Sequence, residues 1–373
     1  MNKDIPNIYP RISRDNNFDV VRLFAALQVC TGHIFTHFNI SGGMFSEILS
    51  FFPGVTIFFA LSGFLITSSW CNSKTIKHYA RNRFLRIFPA LFVCFVVLQL
   101  VMIITGDIGW RSILDPQMWM YWLGQLSLGQ YFTPDNLRDF GVGTPNGSLW
   151  TIPIEVEFYI ILPLIFILMV NTNVKKKLII IATISILFNI FLSIVRPDVH
   201  GTNATELIAS NHQTLLLKLA GVTVAPYLYC FIAGSIIYLY WDNIKVLFIN
   251  KVLYWLIVFF VWIYISGHKP SHSISSSYIL ITNILLCCVS ISAAFSFGKA
   301  YKYLYGVDIS YGIYIIHMIV VNIFIELGYG YNILHAMIAL VITIGLALVM
   351  YYYIEKPALA LKNKYTINKK AHL

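Results

Sequence analysis

Arg22 and His33 stand eleven positions apart in Val20–Ile40, a stretch that is otherwise almost wholly apolar. On an α-helix, eleven steps of ~100° make three turns plus ~20°, so both side chains point along one face. Their separation along the axis is ~16 Å, about half the thickness of a bilayer core. Burying an arginine in hydrocarbon costs several kcal/mol unless it faces a wet or paired interior. An aligned cation and imidazole therefore read as the lining of a pathway. The ordinary pKa of an imidazole lies near working pH, which suits His33 to general-base chemistry. The plainer reading of His33 is a packed histidine bonded to a neighbouring backbone or hydroxyl group.

A second group of polar residues opens a later apolar run. Asn146, Ser148, Glu155 and Glu157 fall in Asn-Gly-Ser-Leu-Trp-Thr-Ile-Pro-Ile-Glu-Val-Glu-Phe-Tyr. Glu155 enters its span about as deeply as His33 enters its own, so the carboxylate could orient the imidazole and stabilise its protonated form. A structural ion pair with Arg22 or another buried base is the alternative. Glu155 and Glu157 are two positions apart and point to different helix faces, so only one is expected to act. Arg83 and Arg86, at i and i+3, share one face, and paired guanidiniums suit bidentate phosphate recognition; as a mere orientation signal they would look the same. Tyr314 lies one turn before His317, a pair that could contact substrate or simply pack. The small residues around Ser62 and Gly63 suit close helix approach. His37, His78, His200, His268 and His272 suggest no partner from sequence, and no His/Cys cluster has metal-ligand spacing.

The elements that must hold these residues are membrane helices. The 373 residues are 58% hydrophobic and 11% charged, with a mean hydropathy of +0.73; a soluble domain carries about 25% charge. Apolar runs of spanning length recur at roughly 20–40, 51–70, 87–105, 148–170, 178–195, 219–240, 252–266, 277–296, 309–327 and 333–354, which makes ten. The net charge of +10 sits in short loops, which argues for the positive-inside rule and against nucleic-acid binding. The loop Cys71–Arg86, Lys175–Lys177, Lys245 and Lys251, Lys299 and Lys302, and the tail from Lys356 then share the cytoplasmic side, with both termini inside. Trp110–Gln130 is rich in Trp and Tyr and weakly apolar, and it reads as a re-entrant or interfacial segment on the outer face. The outer loops are Gly106–Gly147, Arg196–Gln213 and His268–Ser277. No small-residue cleavage site follows the first span, which is expected to remain uncleaved. The organisation expected is a cytoplasmic segment 1–19, one membrane domain 20–357 and a basic cytoplasmic tail 358–373. The six cysteines show no paired pattern, and neither disulfides nor a metal site are expected.

Taken together, these motifs resemble the integral-membrane acyltransferase family 3. The resemblance is carried by Arg22-x10-His33, Phe58-Phe-Ala-Leu-Ser-Gly-Phe-Leu-Ile66, Arg83-x-x-Arg86, Ser148-Leu-Trp through Glu155-Val-Glu-Phe-Tyr159, Ser310-Tyr-Gly-Ile-Tyr through His317, and Tyr353-Ile-Glu-Lys-Pro357. They follow the family's order across essentially the whole chain. The resemblance implies a ten-span all-α domain in the bacterial inner membrane. It also implies transfer of an acyl group, usually acetyl, from cytoplasmic acetyl-CoA to a hydroxyl of a lipid-linked or surface polysaccharide such as lipopolysaccharide O-antigen or exopolysaccharide. By family pattern Arg22, His33, Arg83, Arg86 and Glu155 are the positions that matter. Many relatives have Gln where Glu157 stands, which leaves open which carboxylate acts. Some relatives carry a C-terminal extracytoplasmic esterase-like domain; without one, this chain is expected to complete the transfer by itself.

Joined, the two readings give a mechanism. Arg83 and Arg86, helped by Arg22, bind the CoA phosphates at the inner surface, and the pantetheine arm threads inward. The ~16 Å rise along the first helix brings the thioester near His33, which deprotonates the acceptor hydroxyl; an acyl-histidine relay is the variant. Buried Arg, His and Glu in ten spans also suit a proton-coupled transporter of a sugar or organic anion, although no internal duplication of the kind carriers favour is visible. A scaffold subunit of a polysaccharide assembly complex is a third class, for which buried charges would have no purpose.

Overall fold

Long apolar runs in this chain become helices because hydrocarbon leaves no other partner for backbone N–H and C=O groups. The computed structural model describes residues 9–10, 12–13, 15–130, 132–167, 174–195, 222–271 and 277–368, and among these every regular element is helical. In chain order the principal helices are α1 Phe18–His37, α2 Gly43–Ser50, α3 Gly54–Cys71, α4 Ile76–Thr105, α5 Pro116–Gln125, α6 Thr151–Ile167, α7 Val174–Val195, α8 Leu228–Leu239, α9 Val252–Ser266, α10 Ser277–Ala294, α11 Ser310–Glu326, α12 Ile333–Met350 and α13 Lys356–Asn368. Five helices among the described residues are long and apolar enough to cross a membrane, or six if the bent pair Trp241–Leu247 and Val252–Ser266 counts as one crossing. The chain is an all-helical membrane protein. The loop Arg196–Gln213, with His200, and the residue His272 lie outside the described residues.

Several boundaries differ from those expected. Arg81, Arg83 and Arg86 are not in a loop: α4 starts at Ile76, where the Thr75 side chain accepts the His78 backbone N–H at 3.1 Å as an N-cap. At the other end, a π-turn at Tyr351–Glu355 joins α12 to α13, so the tail is helical through Asn368. The Trp110–Gln130 region holds a 3₁₀ turn, Trp110–Leu114, and the ten-residue α5, which at 1.5 Å per residue reaches only ~15 Å.

The chain divides into two compact units. The first comprises Met1–Ala25, Ser50–Lys74 and Glu157–Gly306. Its centre is the pairing of α3 with α8, which close glycine contact permits. A Cβ on Gly63 would lie 1.9 Å from the Phe231 carbonyl oxygen, and one on Gly234 would lie 2.2 Å from that of Ala60. Phe64 packs against Phe18, Tyr238 and Trp241, and the Asn17 amide anchors the start of α1 by donating to the Ser296 and Gly298 carbonyls.

The second unit comprises Ala26–Leu49, Thr75–Val156 and Val307–Leu373. Its centre is α11, buried continuously from Gly312 to Asn322. Helix α12 lies along it, with the Ala347 side chain 3.1 Å from where a Gly312 Cβ would stand. Helix α4 packs on α11 and on both the π-turn and α13.

Candidate active site

Helix α11 has the central role in the second unit because a loop is stitched along it. The Asn322 amide donates to the Thr144 and Pro145 carbonyls, and its oxygen accepts the Val142 N–H at 3.0 Å. One to two turns earlier, Asn146 Nδ2 donates to the Ile315 carbonyl at 2.8 Å, and Ser148 Oγ donates to the Tyr314 carbonyl at 3.0 Å. The hydroxyls of Thr151 and Tyr314 meet at 2.7 Å. Unpaired polar groups would be costly at such depth, so this lattice fixes the rotation of α11. Asn146 and Ser148, polar residues at the opening of the α6 apolar run, direct their donors to the α11 backbone.

That rotation presents His317 to α1. His317 is 0% exposed; its Nδ1 lies 3.0 Å from the Ile313 carbonyl oxygen and its Nε2 lies 2.9 Å from Nδ1 of His33. The His37 ring stacks at a tilt, 5.9 Å from that of His33. Two histidines thus flank the proposed base, inside one unit. At Nδ1 of His33 the partner is the His317 imidazole. The i, i+4 spacing of His33 and His37 was a usable signal of a shared face, but nothing in the linear sequence brings His317 to them.

Glu155 lies half-buried on the part of α6 that belongs to the second unit, and its charge is felt at the phenol groups of Tyr79 and Tyr314. Glu157, two residues on, belongs to the first unit, where its Oε2 accepts the Val224 backbone N–H at 2.7 Å. The two carboxylates therefore part company, and Glu157 ties α6 to the chain preceding α8.

Arg22 also belongs to the first unit, half-buried in the first turns of α1 with Asp19 at 3.6 Å. Its spacing from His33 is set by the continuous helix α1 itself. On α4, Arg86 makes an ion pair with Asp308 at 2.5 Å; the other oxygen of Asp308 accepts the Ser310 N–H at 3.2 Å and its hydroxyl, capping the start of α11. Arg83 sits one turn earlier, half-buried, with its charge felt at the Tyr79 hydroxyl. A residue that site reasoning overlooked is Glu355, 3% exposed in the π-turn, with neither carboxylate oxygen hydrogen-bonded among the described residues. It had been visible only as part of Tyr353-Ile-Glu-Lys-Pro357. Among the described residues no group of three His, Cys, Asp or Glu side chains is arranged to hold a metal ion.

An all-helical membrane chain with a buried, oriented imidazole pair and basic residues on the neighbouring helix has the parts of a membrane-embedded group-transfer enzyme. The chain belongs to the acyltransferase family 3, whose acyltransferase domain matches residues 15–352, and it is an acyltransferase. It is 30% identical to "Nodulation protein 10" of Rhizobium leguminosarum bv. viciae, over 93% of this chain and 94% of that protein. It is also 30% identical to an "O-acetyl transferase" of Shigella phage Sf6, over 40% of this chain and 45% of that one. The "Peptidoglycan O-acetyltransferase OatA" of Listeria monocytogenes is 27% identical over 56% of this chain, but only 33% of its own length is covered. No solved structure matches.

Proposed function

We propose that this enzyme moves an acetyl group from cytoplasmic acetyl-CoA to a hydroxyl of a surface or lipid-linked polysaccharide, such as an O-antigen or exopolysaccharide. In this reading it lies in the bacterial inner membrane with ten spans and both termini inside. The observation that carries the reading is His33, held through a hydrogen bond to the fully buried His317, on a helix that also bears Arg22 at its other end. Arg22, Arg83 and Arg86 receive the CoA phosphates, and α1 guides the acyl arm ~16 Å from Arg22 to His33. His33 acts as general base on the acceptor hydroxyl, and Glu155 supplies negative charge that favours the imidazolium formed. Asn146, Ser148, Tyr314 and His317 serve the acceptor by fixing α11 and the base it faces.

The relatives named as O-acetyltransferases support acetyl as the group and a saccharide hydroxyl as its destination. The test is incubation of purified protein with radiolabelled acetyl-CoA and a glycan acceptor. Label should pass to the glycan with the wild-type chain and fall at least ~10²-fold with His33→Ala at equal protein level. Retained transfer by His33→Ala would remove the mechanism. Substrate accumulation in vesicles without acetylation would favour a carrier.

A further inference from the structure

The hydrogen-bond chain from Ile313 through His317 to His33 has one consistent direction. The Ile313 carbonyl oxygen can only accept, so Nδ1 of His317, 3.0 Å away, carries a proton. In the neutral ring Nε2 is then a bare lone pair. Nδ1 of His33 lies 2.9 Å from that nitrogen; a second lone pair there would repel the first, so His33 Nδ1 donates. The alternative, a doubly protonated His317, would bury a full positive charge at 0% exposure.

We infer that His317 is a positioning residue that holds the base in its Nδ1–H tautomer, making Nε2 of His33 the atom that takes the acceptor proton. This rests on the proposed role of His33 as general base. In the transfer the acceptor O–H bond breaks and its proton passes to His33 Nε2, while the oxygen bonds to the thioester carbonyl carbon. The C–S bond then breaks, the thiolate takes the proton from Nε2, and His33 returns neutral. While His33 is charged, its Nδ1–H bond to His317 becomes charge-assisted and stronger. The buried imidazole thus does for His33 what a carboxylate does in a Ser-His-Asp triad, without adding a net charge to the helix core. The Asn146 and Ser148 bonds to the α11 backbone matter for the same reason, since they set where His317 Nε2 points.

Two measurements test this. In ¹⁵N-histidine-labelled wild-type protein, His33 is expected to show a protonated Nδ1 and a bare Nε2, its signals assigned by their loss in His33→Ala; a proton resident on Nε2 would overturn the inference. The second measurement compares two amide variants. The carbonyl of Gln reaches the position of Nε2 and can accept from His33, whereas Asn reaches only the position of Nδ1. His317→Gln should keep kcat within about tenfold of wild type while His317→Asn loses at least ~10²-fold with KM little changed. Equal losses in both would make His317 a packing residue only. Failure here with His33→Ala inactive leaves the general-base reading standing, whereas an active His33→Ala removes both.

Discussion

Arg83 and Arg86 lie one turn apart on α4 yet meet different surroundings, and the Asp308 partner adds a folding role to Arg86. Arg86 and its partner Asp308 are 19% and 11% exposed at the side chain; removing one member of a buried pair costs about 3–5 kcal/mol, because the other charge is left behind. Arg86→Glu is therefore expected to lower thermal stability markedly, and Arg86→Asp combined with Asp308→Arg to recover part of the loss in detergent melts. Arg83→Glu should weaken acetyl-CoA affinity several-fold by calorimetry; unchanged affinity would reduce Arg83 to an orientation signal. Glu355 makes the opposite case. A buried carboxylate without a hydrogen bond is a cost, so Glu355→Leu should raise stability by about 1–3 kcal/mol. If acetyl transfer falls while the melting temperature rises, Glu355 has been retained for activity, a trade-off common at functional sites. A lower melting temperature would show instead that its charge is compensated. None of these environments was legible in the sequence: Arg83-x-x-Arg86 announces a shared face, but Asp308 is 222 positions from Arg86.

At the scale of elements, hydropathy located helices well where the membrane itself is the cause. The bounds expected for 252–266 agree with α9, and those for 309–327 lie within one residue of α11. It failed where helices continue outside the apolar run. The stretch from Lys74 to Arg86 looked like a loop because it is charged, although Thr75 three residues before His78 was an available N-cap signal. In a regular α-helix the ring of Pro357 would clash with the carbonyl four residues back. The π-turn at Tyr351–Glu355 widens the spiral just ahead of it, and the helix runs on. Gly63 was legible as a packing residue, but its counterpart Gly234 was not, since close approach needs both helices. Gly234→Val would set side-chain carbons against the backbone of Ala60 and Phe64. Overpacking of this kind costs about 3 kcal/mol or more when backbone is the obstacle. The expected result is loss of the monodisperse peak on gel filtration, whereas Gly345→Val, where a Cβ meets nothing within 4 Å, should elute normally.

For the whole molecule the decisive quantity is the number of membrane crossings, because it fixes which side supplies donor and which supplies acceptor. Helix α11 has 17 residues, ~25 Å at 1.5 Å per residue, short of a bilayer core by a few ångströms; modest local thinning accommodates such a mismatch. The six longer crossings make ten with α6, α7, α8 and α11, which is the number the proposed topology requires. That topology, read from the gathering of Lys and Arg in inner loops, puts the 106–147 loop outside and Lys77 and Lys302 inside. All six native cysteines are free, so a cysteine-free background can carry single reporters. In intact cells a membrane-impermeant thiol reagent should label Arg138→Cys, whose native side chain is 39% exposed. It should reach Lys77→Cys and Lys302→Cys only after permeabilisation. With that pattern, Arg22 and Arg83 face the CoA pool and His33 lies toward the acceptor side, so one helix can carry the acetyl group across about half of the bilayer core without moving the whole donor through it. Labelling of Lys77→Cys in intact cells would reverse the direction of α1 and leave the arginines on the wrong face for a cytoplasmic donor.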